Sequence, residues 1–85
     1  MNDAELVKAL AAQLRQAEVI AKRLAAETAD SMGLEGEARD AEVGIQSTLV
    51  CMAWLATSCP AWLQESVWRA VHPASQKAWP AAVAN

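Results

Sequence analysis

Phenylalanine and tyrosine are missing from this chain, and His72 is the only histidine. Four tryptophans therefore carry all of the aromatic area. A nucleophilic Ser or Cys needs a base held by a third group, and the one candidate base lies beside Pro73 at a helix end, which argues against catalysis of that kind. Only three glycines are present, Gly33, Gly36 and Gly44, and none follows a strand-like run, so a phosphate-cradling loop is excluded. No run of Lys or Arg occurs anywhere, which counts against general nucleic-acid binding through a phosphate backbone.

The two cysteines, Cys51 and Cys59, are too far apart on one helix to bridge, since eight residues rise about 12 Å. They read as free, buried thiols suited to a reducing, cytoplasmic setting. With His72 they match no common zinc spacing, so no metal and no cofactor is expected. Residues Met1 to Leu10 carry acids and no apolar core, unlike a secretory signal.

What is present is alanine, and a marked division of charge. Just over half of the 85 residues are apolar, and the net charge is −3. Alanine favours helix but brings little area to a core, so a chain of this size packs thinly unless it finds further partners. Most charged side chains fall in residues 1–42, while Val43 to Gln64 has no formal charge at all. Its length fits a bilayer span, but Gln46, Ser47, Thr48, Thr57, Ser58, Pro60 and Gln64 spread polar atoms and a break through it, and no basic cluster flanks it. The pattern disfavours a membrane segment.

The periodicity predicts an all-α fold with a single domain over 1–73: an antiparallel helical hairpin of two long helices, about 3–32 and 37–58, and a short third helix, about 60–71. An irregular tail occupies 74–85. Asn2 begins a capping box with Glu5, Gly33 supplies a left-handed stop, and Pro60 separates the second and third helices. Val7, Leu10, Leu14, Ala17, Ala21, Leu24 and Thr28 alternate steps of three and four, a heptad seam widened by Leu6 and Ile20. On helix 2, Ala41, Ile45, Leu49, Met52 and Ala56 form the face expected to meet that seam. Val43, Val50 and Trp54 lie on the other side of the wheel. Two apolar faces require two neighbours, and the short third helix covers only part of one. The remaining face, Val43, Ser47, Val50 and Trp54, is expected to be an interface between copies in a helical-bundle homo-oligomer.

The paired acids Glu35, Glu37, Asp40 and Glu42 are explained by the dipole at the start of helix 2 rather than by acid–base chemistry. No enzyme is expected. The tryptophans are the better functional candidates, because Trp combines large rigid area with one hydrogen-bond donor. Trp62, Trp68 and Trp79 are assigned to partner binding, alongside their alternative role as core filler. The leading functional expectation is a non-enzymatic interaction protein, an inhibitor, adaptor or chaperone that occupies a protein partner's surface. By analogy, compact acidic proteins of this kind include phage inhibitors of bacterial defence systems.

Two alternatives stay open. Residues Ala38 to Ala56, with Met52, Ala53, Trp54 and Leu55, resemble the helical hairpin of phage-encoded sponges that sequester cyclic oligonucleotide signals. That resemblance implies an oligomer with a ligand pocket between subunits, where Arg15, Lys22, Arg23 and Arg39 would be the available cations. A holin-like membrane-active protein is the other.

Overall fold

In a computed structural model of the chain, residues Asn2 to Pro73 are described. They form three helices and no strand: α1 (Asp3–Ser31), α2 (Gly36–Ser58) and α3 (Ala61–Val71). Met1 and residues 74–85, the expected tail, lie outside the described residues, and Trp79 with them. Among the described residues no helix is long and apolar enough to cross a membrane.

The helix ends follow from particular residues. The Asn2 side chain accepts a hydrogen bond from the Glu5 amide at 2.8 Å, satisfying one of the free donors of the first turn. At the other end Gly33 takes φ of 75°, the left-handed conformation open to glycine. The Leu34 amide then reaches the Ala29 carbonyl at 3.0 Å and the Gly33 amide reaches Asp30 at 3.0 Å, the paired bonds of a Schellman stop. Pro60 sits at the N-cap of α3, and its carbonyl accepts from the Leu63 amide at 2.9 Å.

The turn between α1 and α2 is tied by Arg39, whose Nε lies 2.7 Å from Asp30 Oδ1. The hydrogen bond from Arg39 holds the Asp30 carboxyl below its ordinary range. Its contribution is therefore present above the unfolded carboxyl's pKa and is lost as acid protonates it, though in so exposed a pair it is small.

Two kinds of packing meet along the helices. At the α3 end, Ala11 and Leu14 of α1, Cys51 and Leu55 of α2, Cys59, and Leu63 and Val67 of α3 make one buried cluster. Leu6, Val7, Leu10, Trp54, Trp68, Ala70 and Val71 are half-buried against it. Leu14, Leu55 and Val67 are fully covered, each a side chain whose burial contributes about 1.5–3 kcal/mol. Toward the α1–α2 turn the buried residues become small: Ala21, Ala25 and Ala29 on α1, and Ser47 on α2.

The expected seam is corrected here. The buried row of α1 steps by four through Ala21, Ala25 and Ala29, whereas Leu24, Ile20 and Thr28 of the heptad stripe are exposed. On α2 the buried row is Ser47, Cys51 and Leu55, continued by Cys59, and it also steps by four. Ala41, Ile45, Leu49 and Ala56, expected to meet α1, face outward, and Met52 is half-buried.

The physical reason is size. Rows of small side chains let two helices approach closely, and branched or long residues on the neighbouring stripe do not fit between them. Ser47 joins the row because its hydroxyl is satisfied within the helix, donating to the Gly44 carbonyl at 3.2 Å. Gln64 is buried in the same manner, its side-chain amide donating to the Cys59 carbonyl at 3.1 Å.

Candidate functional site

The small-residue seam sets up the main surface feature of the protein. Because alanine fills the interior at the turn end, the large apolar side chains of that half stand outside. Ile20 is 61 % exposed, Leu24 58 % and Val50 49 %, and Met32, Ile45 and Leu49 are comparably open. Between α1 and α2, Ile20, Leu24, Met32 and Val50 border a groove of about 570 Å³, with Ala17, Ile20 and Leu24 on one wall and Gln46 and Val50 on the other. Glu42 is the one ionisable liner, and its Oε1 accepts a hydrogen bond from Gln46 Nε2 at 3.0 Å. A second, shallower depression lies on α2 alone, over Ala41, Gly44, Ile45, Thr48, Leu49 and Met52.

The residues assigned to an interface between copies are thus divided. Val50 is open and borders the groove. Ser47 is 3 % exposed within the single chain and has no surface left to offer a second copy. Val43 and Trp54 are half-buried, and Trp54 packs on the core cluster. Ile20, Leu24, Ile45 and Leu49 are the residues that sequence reasoning placed inside and the fold places outside. Their signal was the parallel row of alanines four apart, beside the leucine stripe.

The tryptophans separate as well. Trp62, at the start of α3, is 73 % exposed. Trp68 is half-buried against the core and packs on His72 with the rings tilted by 40° and their centroids 4.4 Å apart. His72 is not the open, capped residue that its place beside proline suggests. It is only partly accessible, and its Nε2 lies 3.5 Å from Glu18 Oε2. That is an ion-pair distance for a protonated ring, but it lacks hydrogen-bond geometry, so Nε2 is buried without a hydrogen-bond partner.

Glu18 is also paired with Lys22 at 3.2 Å, and Arg15 Nη2 donates to the Ala70 carbonyl at 3.1 Å. The contacts of Arg15 and Glu18 fasten the last turn of α3 to α1. Neither of these ties between helices was visible in the sequence, because the partners lie more than fifty positions apart.

Each of the four cations considered for phosphates has an acceptor or carboxylate within the chain, and none of them lines the groove between α1 and α2. Arg15 holds Ala70, Lys22 holds Glu18, Arg23 lies 3.8 Å from Glu27, and Arg39 holds Asp30. Cys51 and Cys59 are free and buried. Burial pushes both thiols up from their ordinary range, and the nearby Glu18 carboxylate adds to the effect at Cys51.

A thiol held protonated is a poor nucleophile. Alkylation by iodoacetamide at pH 8 should therefore be slow in the native protein and become fast in denaturant, read by mass spectrometry. Fast native labelling of Cys51 would contradict its burial. The raised thiols also set a sign: their contribution is present at neutral pH and is lost as pH rises through the alkaline range.

Among the described residues, no group of three or more His, Cys, Asp or Glu side chains is placed to hold a metal ion. No family model, curated protein or solved structure matches the chain.

Proposed function

We propose that this chain is a small, non-enzymatic helical interaction protein whose α1–α2 hairpin assembles with further copies into a bundle. On this reading it acts as an inhibitor or adaptor that covers a protein partner's surface. The observation that carries it is exposed apolar surface: Ile20, Leu24 and Val50 are open around the α1–α2 groove, and Ile45 and Leu49 are open over the second depression on α2, while alanines fill the seam. Large apolar side chains gathered on one region of a small protein mark a surface made to be covered. Trp62 adds an anchor away from the groove, exposed and of the residue type that most often dominates protein interfaces.

Catalysis finds less support. Both thiols are buried and protonated, and the only histidine is lodged between Trp68 and Glu18. A sponge for cyclic oligonucleotides ranks below the interaction reading, because the groove offers phosphates a carboxylate, Glu42, and none of the nominated cations lines it.

Affinity capture from cells that express the protein tests the proposal, with Trp62→Ala as the comparison. A protein recovered by the parent chain across several salt concentrations and lost with Trp62→Ala supports it. Recovery of the chain alone under every condition counts against the partner.

A further inference from the structure

We propose that His72 and Glu18 form a proton-operated latch: a proton on the His72 ring closes an ion pair with Glu18 that fastens the end of α3 to α1, and loss of that proton opens it.

His72 is the C-cap of α3, and its amide donates to the Trp68 carbonyl at 2.9 Å. The ring thus sits at the end of an 11-residue helix where the aligned peptide dipoles favour positive charge. Its Nε2 lies 3.5 Å from Glu18 Oε2, is buried, and makes no hydrogen bond. A buried polar atom without a partner requires a physical account. The neutral ring leaves this atom idle beside a carboxylate. A protonated ring has a donor on each nitrogen and sets a positive charge at ion-pair distance from Glu18.

The charged groups around the ring come from every helix. On α1, Arg15, Glu18 and Lys22 line one depression with His72. Arg15 and Lys22 oppose a proton there, but each is already directed elsewhere, Arg15 to the Ala70 carbonyl at 3.1 Å and Lys22 to Glu18 Oε1 at 3.2 Å. Oε2 of Glu18 is left for the ring. On α2, Cys51 lies near Glu18 and Lys22, and its thiol, kept protonated by burial, adds no charge. On α3, Arg69 is turned to Glu65 at 2.9 Å.

Coverage gives the contact its weight. The Glu18 side chain is 18 % exposed and that of His72 28 %, whereas both members of the Arg39–Asp30 and Arg69–Glu65 pairs are 36 % exposed or more. A partly buried pair is screened less by salt than an open one. The apolar contacts of Leu63 and Val67 and the bond from Arg15 to Ala70 do not titrate near neutrality, so α3 stays docked at either pH. The latch sets how firmly its last turn is held.

An unperturbed imidazole titrates near about pH 6.5 and a glutamate near about 4.3. Between these values the ring gains its proton while Glu18 keeps its charge. The tie is therefore present on the acid side of the histidine range and lost as pH rises through it.

Urea unfolding of the parent chain, His72→Gln, Glu18→Gln and the double variant, at about pH 5.5 and about pH 8, tests the latch. At the acid pH the two substitutions should be coupled, the combined effect on the unfolding constant falling short of the product of the single effects by about three- to fivefold. At the alkaline pH the shortfall should be less than about 1.5-fold. The pairing of Glu18 with Lys22 does not titrate in this interval and cancels between the two conditions. Should a variant fail to fold, the parent chain gives a second readout by NMR. Protection factors of the Ala70, Val71 and His72 amides should fall about threefold from the acid to the alkaline condition, with the midpoint of the His72 ring signals. Coupling that is equal at both pH values, or absent from both, overturns the latch. Protection that does not change with pH, or changes with a midpoint other than that of the ring, overturns it as well.

Discussion

Leu55→Ala is expected to lower the unfolding free energy by about 3–5 kcal/mol, measured by urea denaturation at fixed protein concentration. Leu55 is fully covered and sits where all three helices converge, in one cluster with Leu14, Cys51, Leu63 and Val67. Truncation removes the transfer free energy of its side chain and leaves a cavity whose walls come from different helices and cannot all close in. A domain of this length has a total stability of only about 4–13 kcal/mol. The loss is therefore a large share of that total, and at its lower end the variant would be partly unfolded at room temperature. A loss below about 1 kcal/mol would mean that the core lies elsewhere.

Trp68→Ala is the second large effect, about 2–4 kcal/mol by the same measurement. Read from the sequence, Trp68 is open between partner binding, where its loss would cost little, and core filling. In the structure it is half-buried. It packs on the core cluster, lies at a tilt against His72, and so joins the last turn of α3 to the Glu18 region of α1. Trp62→Ala, on the same helix, should cost less than about 0.5 kcal/mol, as surface substitutions generally do. The pair separates the core tryptophan from the exposed one, and equal losses for both would contradict that placement.

The helical class of the fold was legible because it depends on local chemistry. Alanine content, the Asn2 cap, the Gly33 stop and the Pro60 break act within a few residues of themselves, and each is seen to act at its own position. The faces were less legible, because two rows compete on each long helix. On α1 a stripe of Leu and Ile runs beside a row of Ala, and hydrophobicity alone selects the larger residues for the core. Close approach selects the smaller ones. On α2 the correct row begins with Ser47, a polar residue whose burial is explained only once its hydroxyl is known to bond Gly44. The ties of α3 to α1, Arg15 to Ala70 and Glu18 to His72, join positions far apart in the chain and leave no periodic trace.

These differences have one origin, the alanine seam, and they determine which apolar side chains stand outside. Had the heptad stripe been inside, Leu24 and Ile20 would be core and the groove would not exist. Because the seam is alanine, the turn half of the molecule buries little apolar area and leaves Leu24 and Val50 exposed.

Ala29→Leu tests the seam most directly. Ala29 is fully buried and has no room for three further carbons, so the variant should be destabilised by about 1–3 kcal/mol in thermal or urea unfolding. Ala12→Leu, on the exposed side of the same helix, should change stability by less than about 0.5 kcal/mol. If Ala29→Leu proves as stable as the parent chain or more so, α1 and α2 do not meet along alanine, and the outward placement of Ile20, Leu24 and Val50 is wrong.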